Sequence, residues 1–374
     1  MLLLIPGPVQ TQAQVRAAAA QDIAPWDNDF KAVLTEIRER VLALAGGRPC
    51  EHEALMLQGC GHFIMEASLR TFVPAATSAN PGKVLIPLNG TYAGRVERLA
   101  REAGRQVVVM DLPTTQAATA EQIAAALAAD PSITHVALVY SETGGGIVND
   151  PNLIGPVVRA AGRRMIVDAV SAFGALPFNL ADHPECDAVM FTSGKCLEGL
   201  PGIGFAVVRV DSVTAAAGNA GSWSFDLSDV YGQVLRAGPG AFRFTPPVQV
   251  LAAFRVALDL HAAEGQVARL ARYRANAQTF HQGMRRIGLT PYLSEQEQGP
   301  IITIVHQPAD ERFDLQRFVD ELKRRDVLIS NFYNTPTPTF RVGCIGAVTP
   351  ADMERAVAAM DDTLTALQVR KRSA

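Results

Sequence analysis

The sequence predicts an α/β protein built on a mainly parallel β-sheet. Short apolar runs alternate with helical patterns, as at 107–110 and 136–139 on either side of an alanine-rich helix over 120–129. Strands that alternate with helices in this way are typical of a parallel sheet covered by helices. With 374 residues, 48% of them hydrophobic and 19% charged, the chain is long enough for two domains and has a globular composition.

Short apolar runs and amphipathic patterns follow one another along the chain. Leu2 to Ile5 suggest a short strand or extended arm, ended by the turn Pro6-Gly7-Pro8. Residues 30–45 predict an amphipathic helix, because Leu34, Ile37, Val41 and Leu44 recur at intervals of three and four. The apolar runs that follow predict strands at 54–57, 84–87, 107–110, 136–139, 165–167, 188–191 and 204–208. Beyond them, helices are predicted at 248–265, 267–287, 313–325 and 350–368, with strands near 301–305 and 327–332.

Two of the apolar runs end in residues that carry chemistry. Asp168 follows 165–167, and the run 188–191 leads into Thr192-Ser193-Gly194-Lys195. Ligands of α/β sheets bind beyond the ends of strands, so Asp168 and Lys195 are expected at one edge. An acid and a lysine in this arrangement suit pyridoxal 5′-phosphate (PLP), which a lysine binds covalently and a carboxylate keeps protonated at its ring nitrogen. For an isolated acid and lysine, a turn cap and a solvated lysine are the favoured explanation.

A glycine turn earlier in the chain predicts an anion site. The strand 54–57 leads into Gln58-Gly59-Cys60-Gly61-His62, and a helical pattern follows from Phe63. Free backbone N–H groups and the helix dipole converge at such a turn. Many turns of this kind hold no ligand, so the motif alone is weak.

The segments DAVSAFGALP at 168–177 and SGKCLEGLPGIGF at 193–205 resemble the class V aminotransferases of fold type I. The likeness runs from Pro6-Gly7-Pro8 to Phe340-Arg341-Val342-Gly343. It implies the α/β architecture of PLP fold type I: a large domain with a mainly parallel seven-stranded sheet and a smaller C-terminal α+β domain. The expected bounds are 15–255 for the large PLP-binding domain and 256–374, with the arm 1–14, for the small one.

The resemblance assigns roles around the cofactor. Asp168 becomes the partner of the ring nitrogen, Lys195 the lysine that carries PLP, and Val170 a residue packed against the ring. The turn Cys60-Gly61-His62 becomes the phosphate site, where the family usually has Ser-Gly-Thr. Backbone donors survive that change but two hydroxyls are lost, and His62 either supplies one hydrogen bond or is a surface histidine.

Further roles follow from the same likeness. Tyr92, expected in a loop over 89–95, is the residue that stacks on the ring, although a lone tyrosine is more often a packing residue. Thr143 is expected to hydrogen-bond the ring hydroxyl, and Ser193 joins the cofactor site. Thr245, in Phe242-Arg243-Phe244-Thr245-Pro246-Pro247, is expected to reach the PLP phosphate of a partner subunit, which implies a homodimer with shared sites.

Substrate contacts are expected at Arg341 and Trp26. Arginine offers a planar fork of donors to carboxylate or phosphonate oxygens, so Arg341 is expected to anchor the substrate anion unless it is a structural ion-pair member. Trp26 is expected near the pocket and the dimer contact, or as a packing anchor. The glycines Gly144-Gly145-Gly146 stand where the family has Ser or Thr, and would widen the pocket, admit backbone to the substrate, or form a plain turn.

The implied activity is transfer of the amino group of 2-aminoethylphosphonate to pyruvate, giving phosphonoacetaldehyde and alanine. Alternatives are a related transaminase for alanine or serine with glyoxylate or pyruvate, and a PLP lyase acting on a substituted aminophosphonate. A non-catalytic binding protein is disfavoured because Asp168 and Lys195 are both retained. A nicotinamide or P-loop enzyme is disfavoured because neither glycine motif is present.

Charge and cysteine content restrict partners and compartment. The formal net charge is −3 without long basic runs, which does not favour nucleic acid or an anionic membrane surface. No apolar stretch has the length of a membrane helix, and the start MLLLIPGP is not typical of a signal peptide. A cytoplasmic enzyme is therefore expected. Its five cysteines are expected to be reduced and to form no metal-ligand pattern: Cys50, Cys60, Cys186, Cys196 and Cys344.

Overall fold

The structure, a computed structural model, describes residues 1–369. The strands are β1 Leu2–Leu3, β2 His52–Gly59, β3 Lys83–Leu88, β4 Gln106–Asp111, β5 His135–Val139, β6 Ser141–Glu142, β7 Ile147–Val148, β8 Arg164–Asp168, β9 Cys186–Thr192, β10 Gly202–Arg209, β11 Ile302–His306, β12 Val327–Leu328 and β13 Thr339–Gly343. The helices are α1 Ala13–Ala18, α2 Asn28–Leu44, α3 Gly61–Phe72, α4 Thr91–Glu102, α5 Ala120–Ala129, α6 Pro151–Ala160, α7 Val210–Ala215, α8 Leu227–Ala237, α9 Val248–Glu264, α10 Gln266–Arg286, α11 Leu315–Arg324 and α12 Pro350–Ala366.

A seven-stranded sheet in the order β2-β10-β9-β8-β5-β3-β4 forms the centre of the fold. The pairs from β9 through β8, β5 and β3 to β4 are parallel, whereas β10 runs antiparallel to both of its neighbours. The predicted α/β fold with a mainly parallel seven-stranded sheet is confirmed.

Helices bury both faces of this sheet. Along β10, Phe205 and Val207 face one apolar core, while Ala206 and Val208 face the other. This alternation with a period of two is the pleat of a strand covered on both sides. The first core includes residues of α2, α5, α6 and α9, and the second includes residues of α3, α4, α7 and α8.

The C-terminal part has an apolar core of its own. Phe318, Phe340 and Met360 form it together with Leu2 and Leu4 from the start of the chain. Strand β1 pairs in parallel with β12, and β11 pairs antiparallel with β13. The domain boundary at 255/256 stays a prediction. The last residues of the predicted small domain, 370–374, lie outside the described part of the chain.

The helix predictions are close, and two other predictions are wrong. The helix expected at 30–45 is α2, and that expected at 248–265 is α9. The strand expected over 327–332 is only the two-residue β12. Residues 91–95, expected in a loop, open α4. Within residues 1–369, no helix combines the length and hydropathy needed to cross a membrane.

Candidate active site

Two neighbouring parallel strands carry Asp168 and Lys195 to the same edge of the sheet. Asp168 is the last residue of β8, and it pairs with Met190 of β9. Its Oδ1 accepts a hydrogen bond from the Val170 backbone N–H at 2.9 Å. Burial raises the pKa of Asp168 to about 6, although this hydrogen bond and the nearby Lys195 act in the opposite direction.

Lys195 lies in a tight turn after β9. The Ser193 backbone N–H bonds to the Ile203 carbonyl, and the Ser193 hydroxyl donates to the Leu200 carbonyl at 2.5 Å. Lys195 Nζ donates to the Pro6 carbonyl at 2.7 Å, and a Cβ on Gly7 would lie 2.3 Å from Nζ. The N-terminal Pro-Gly-Pro turn therefore packs directly on the lysine. Burial lowers the pKa of Lys195 below its ordinary 10.5.

A buried polar cluster supports this turn from the other side. The Glu198 carboxylate accepts from Arg272 Nη2 at 2.8 Å and from the Tyr273 hydroxyl at 2.7 Å. Arg269 Nη1 donates to the Cys196 carbonyl at 2.9 Å. Arg272 Nη1 also donates to the Gly346 carbonyl at 2.7 Å, just beyond β13. The cluster thus ties the lysine turn to α10 and to the C-terminal core.

The predicted anion turn is the N-terminus of α3. Cys60 precedes the helix, and its side chain makes no capping hydrogen bond. The first N–H groups of a helix have no intrahelical acceptor, so those of Gly61 and His62 are available to a ligand. A Cβ on Gly61 would lie 2.6 Å from Val170 Cγ2, so this turn packs against the segment after Asp168. The His62 side chain is exposed.

Tyr92 lies in the first turn of α4, where a buried acid holds the helix. Glu142 Oε2 accepts from the backbone N–H groups of Tyr92 and Ala93, both at 3.0 Å. Its Oε1 accepts from the Gly144 N–H at 2.7 Å. Burial raises the pKa of Glu142 to about 7, against the lowering effect of these three hydrogen bonds. This cap explains why a helix begins where a loop is expected.

The glycine run follows Glu142 and packs closely on its neighbours. A Cβ on Gly145 would lie 2.3 Å from the Thr114 carbonyl oxygen, and one on Gly144 would lie 2.7 Å from Glu142 Oε1. Gly144 and Gly145 therefore permit close packing on neighbouring segments. They do not widen the pocket. Thr143 Oγ1 is buried beside the Tyr92 side chain and has no well-formed hydrogen bond to a described residue.

These elements enclose a cavity of about 230 Å³. It reaches from the start of α3, across the ends of β8 and β9, to the start of α4. Of the predicted site residues, Thr143, Ser193 and Arg341 do not line it. The predicted site residues that line it are Cys60, Gly61, His62, Tyr92, Asp168, Val170 and Lys195.

Arg341 lies in the middle of β13 and is 3% exposed. Its Cζ is 4.2 Å from the centre of the Phe332 ring, and Nη1 donates at 3.0 Å to Asn334 when that amide oxygen faces it. Nε has no partner, and no described carboxylate forms an ion pair with the group. Burial lowers the pKa of Arg341, with Tyr92 acting against that effect. A buried guanidinium without a carboxylate is suited to an incoming anion.

Trp26 and Thr245 do not reach this cavity within one chain. Trp26 is 79% exposed and borders a separate groove with Phe244, next to Thr245. Arg243 holds this loop through bonds to the Trp223 and Ser224 carbonyls at 2.7 and 2.5 Å. Both predicted site residues therefore lie on one outer surface, and nothing in a single chain joins them to Lys195.

Comparison with known proteins adds the family. The family model described as Aminotransferase class-V matches residues 10–329 of the chain. The chain is a class-V aminotransferase. It is 41% identical over 374 residues to 2-aminoethylphosphonate–pyruvate transaminase 2 of Burkholderia lata. The matched region covers 100% of this chain and 97% of that protein. It is 40% identical over 369 residues to 2-aminoethylphosphonate–pyruvate transaminase of Pseudomonas putida, at 98% of both chains.

Solved structures agree on the fold of this class-V aminotransferase. Pyridoxamine–pyruvate aminotransferase from Mesorhizobium loti superposes with a TM-score of 0.89 at 23% identity, over 99% of this chain and 93% of that one. Alanine–glyoxylate aminotransferase from Nostoc sp. gives 0.86 at 22% identity, over 97% and 95%. At these identities the likeness establishes the architecture alone.

Three groups near the site are not among the predicted cofactor or substrate contacts, although Arg95 is expected from the sequence to steady its loop or the dimer contact. Glu142 is the buried cap of α4, Glu198 joins the lysine turn to Arg272, and Arg95 lines the cavity. An acid at the end of a short strand and another two residues after a cysteine give no periodic signal. Their roles depend on contacts between segments that are far apart in the sequence.

Proposed function

We propose that this class-V aminotransferase uses PLP to transfer the amino group of 2-aminoethylphosphonate to pyruvate, giving phosphonoacetaldehyde and alanine. The observation that carries the proposal is the placement of Asp168 and Lys195 on adjoining strand ends beside the anion-binding start of α3. The names of relatives about 40% identical over the whole chain support the substrate pair.

The residues present fit PLP. The cavity is lined by an acid, Asp168, by the first residues of α3 and by Lys195, together with apolar side chains. Thr143 Oγ1 is a buried hydroxyl without a well-formed bond, so it can serve the hydroxyl of the cofactor ring. Asp168 would hold the proton on the ring nitrogen, Tyr92 and Val170 would flank the ring, and the 60–62 turn would hold the phosphate. Ser193 would act by shaping the lysine turn.

The chain's own groups supply the proton transfer. When bound, PLP provides an electron sink for the charge that remains on the amine-bearing carbon once its proton is removed. Lys195 Nζ takes up this proton and later returns it, which requires a lysine pKa well below the ordinary value. Burial supplies that lowering, and the positive charge of Arg341 adds to it. The Pro6 carbonyl, 2.7 Å from Nζ, fixes the position of the amine.

Arg341 would bind the anionic end of each substrate in turn. 2-Aminoethylphosphonate has no α-carboxylate, so its phosphonate and the carboxylate of pyruvate would use the same guanidinium. The free Nε and the absence of an ion pair with any described carboxylate support this role.

Trp26 and Thr245 would act across the interface of a homodimer. Both lie on one surface, with Thr245 exposed beside Phe244 and away from the cavity of its own chain. Thr245 would then contribute to the phosphate site of the partner and Trp26 to its substrate entrance. We place the enzyme in the cytoplasm, acting on small molecules and without a nucleic-acid or membrane partner.

The proposal is tested by a half-reaction spectrum. PLP-loaded protein is mixed with 2-aminoethylphosphonate, and separately with alanine and serine, without a keto acid. We expect the phosphonate to shift the absorbance of the lysine-bound cofactor to that of pyridoxamine 5′-phosphate, and pyruvate to reverse the shift. A spectral shift only with alanine or serine would show that the proposed amino donor is wrong, while the assignment as a transaminase would stand. Release of ammonia from a hydroxylated aminophosphonate, with no shift by any amine, would indicate a lyase.

A further inference from the structure

Arg95 is an arginine of α4 without a carboxylate partner. Two other arginines of the same helix are paired with acids one turn away: Arg98 Nε lies 2.8 Å from Glu102, and Arg101 Nε lies 2.9 Å from Glu97. Arg95 has Leu99 at the corresponding position, and no described acid forms an ion pair with it.

Arg95 is exposed and instead lies at the edge of the active-site cavity. Its Cζ lies 4.8 Å from the centre of the Tyr92 ring, and the residue lines the cavity that contains Asp168 and Lys195. Stacking on an aromatic face leaves the N–H groups at the edge of a guanidinium free to bind an anion. The start of α4, held by Glu142, fixes the position from which this side chain extends.

Arg95 and Arg341 therefore place two positive charges around Tyr92. Burial acts to raise the pKa of Tyr92, but the positive charges of Lys195 and Arg341, with a smaller contribution from Arg95, lower it overall. The charge of Arg95 also contributes to the lowered pKa of Arg341, for which burial is the larger cause. Like charges repel each other, and a ligand with two negative charges that reaches both guanidinium groups would remove that repulsion.

We propose that Arg95 is a specificity-determining residue that binds the phosphonate of the amino donor together with Arg341. A phosphonate near neutral pH carries up to two negative charges, as a phosphate group does, whereas a carboxylate carries one. One arginine suffices for pyruvate, and two distinguish the dianionic donor from amino acids of similar size. This inference rests on the proposed function.

The experiment compares Arg95→Gln, Arg95→Lys and the matched control Arg98→Gln in the PLP-loaded enzyme. We expect Arg95→Gln to raise KM for 2-aminoethylphosphonate about 10- to 100-fold, the effect of losing a hydrogen bond to a charged group. KM for pyruvate should change less than about threefold. Arg95→Lys should recover part of the donor affinity because it restores the charge, and Arg98→Gln should match the wild type.

Two amine-free inhibitors and a cofactor titration separate the alternatives. Ethylphosphonate should inhibit Arg95→Gln more weakly than the wild type, by a factor similar to the change in donor KM. Propionate should inhibit both enzymes equally. Equal losses for both inhibitors, or an unchanged KM for the donor, would overturn the inference while leaving the transaminase proposal intact. A loss of PLP affinity at constant donor KM would assign Arg95 to the cofactor phosphate and also overturn it. If the wild type does not respond to 2-aminoethylphosphonate, the proposed function fails first, and the inference fails with it.

Discussion

Asp168 combines burial with a task that requires charge. A carboxylate in an apolar wall is costly to ionise, which is why the pKa of Asp168 rises to about 6 in the ligand-free chain. The same burial strengthens its attraction for a protonated ring nitrogen, because little water screens the pair. Under the proposed function, Asp168 would give up ease of ionisation for a stronger contact with the cofactor.

This balance predicts how PLP affinity depends on pH. A carboxyl with a pKa of about 6 is mostly charged above that value and mostly neutral below it. The affinity of apoenzyme for PLP should therefore fall as the pH is lowered from 7.5 to 5, by about tenfold per pH unit below 6. Fluorescence titration at each pH measures the affinity. Asp168→Asn should bind weakly throughout and remove this part of the pH dependence. An equally steep decline in Asp168→Asn would assign the effect to another group.

Single residues were predictable from the sequence where a strand end presents them. Asp168 and Lys195 follow apolar runs, and their adjacency follows from the parallel pairing of β8 with β9. Arg95 and Glu142 were not predictable in this way. Whether an arginine is paired, or an acid caps a helix, depends on which distant segment lies beside it.

At the scale of elements, α4 depends on a cap supplied by a different element. Glu142 belongs to β6, about fifty residues later in the chain, and its carboxylate takes the place of a local N-cap residue. The buried Glu142 side chain also explains a glycine beside it, because a Cβ on Gly90 would lie 2.3 Å from Glu142 Cδ. Read from the sequence alone, the Gly144-Gly145-Gly146 run indicates a change in the pocket. Its physical reason is close packing on Glu142 and on the Thr114 carbonyl.

The cap can be tested by Glu142→Ala. Alanine has no side-chain acceptor, so the N–H groups of Tyr92, Ala93 and Gly144 would all lose their partner. Amide exchange at Tyr92 and Ala93 should accelerate about 10- to 100-fold, as expected for lost hydrogen bonds to a charged acceptor. Hydrogen–deuterium exchange of peptides over 90–96 measures this. Glu97→Gln, which removes only an exposed ion pair of the same helix, is the control and should have little effect. Equal exchange in both variants would mean that Glu142 does not hold α4.

At the scale of the whole molecule, Lys195 and the proposed anion anchor, Arg341, belong to different parts of the fold. Lys195 follows β9 of the large sheet, whereas Arg341 lies on β13 beside the C-terminal core. The Glu198–Arg272 contact and the Arg272–Gly346 hydrogen bond connect the two. Because Arg272 binds both sides, it can keep the distance between proton transfer and anion binding constant. The sequence predicts both parts, but their connection depends on tertiary contacts between residues 70 or more positions apart.

A shared site in a homodimer makes a further prediction for the whole assembly. If Thr245 serves the partner's cofactor phosphate, Thr245→Asp would repel PLP from the partner's cavity and not from its own. A heterodimer of one Lys195→Ala chain and one Thr245→Asp chain would then keep one intact site. Two differently tagged chains, co-expressed and purified through both tags, should have about half of the wild-type activity, although each single-variant homodimer is inactive.

The reverse combination provides the control for this heterodimer. In this control a wild-type chain is paired with a Lys195→Ala/Thr245→Asp chain. The only intact Lys195 of the dimer then lies in the site that receives the substituted residue 245 of the partner, so this dimer should be inactive. If Thr245 acted within its own chain, the outcomes would be exchanged: the first heterodimer would be inactive and the second would keep half of the activity. Because Thr245 is exposed and does not line the cavity of its own chain, the first pattern is expected. Matching melting temperatures for the two heterodimers would ensure that the comparison reports on the site and not on folding.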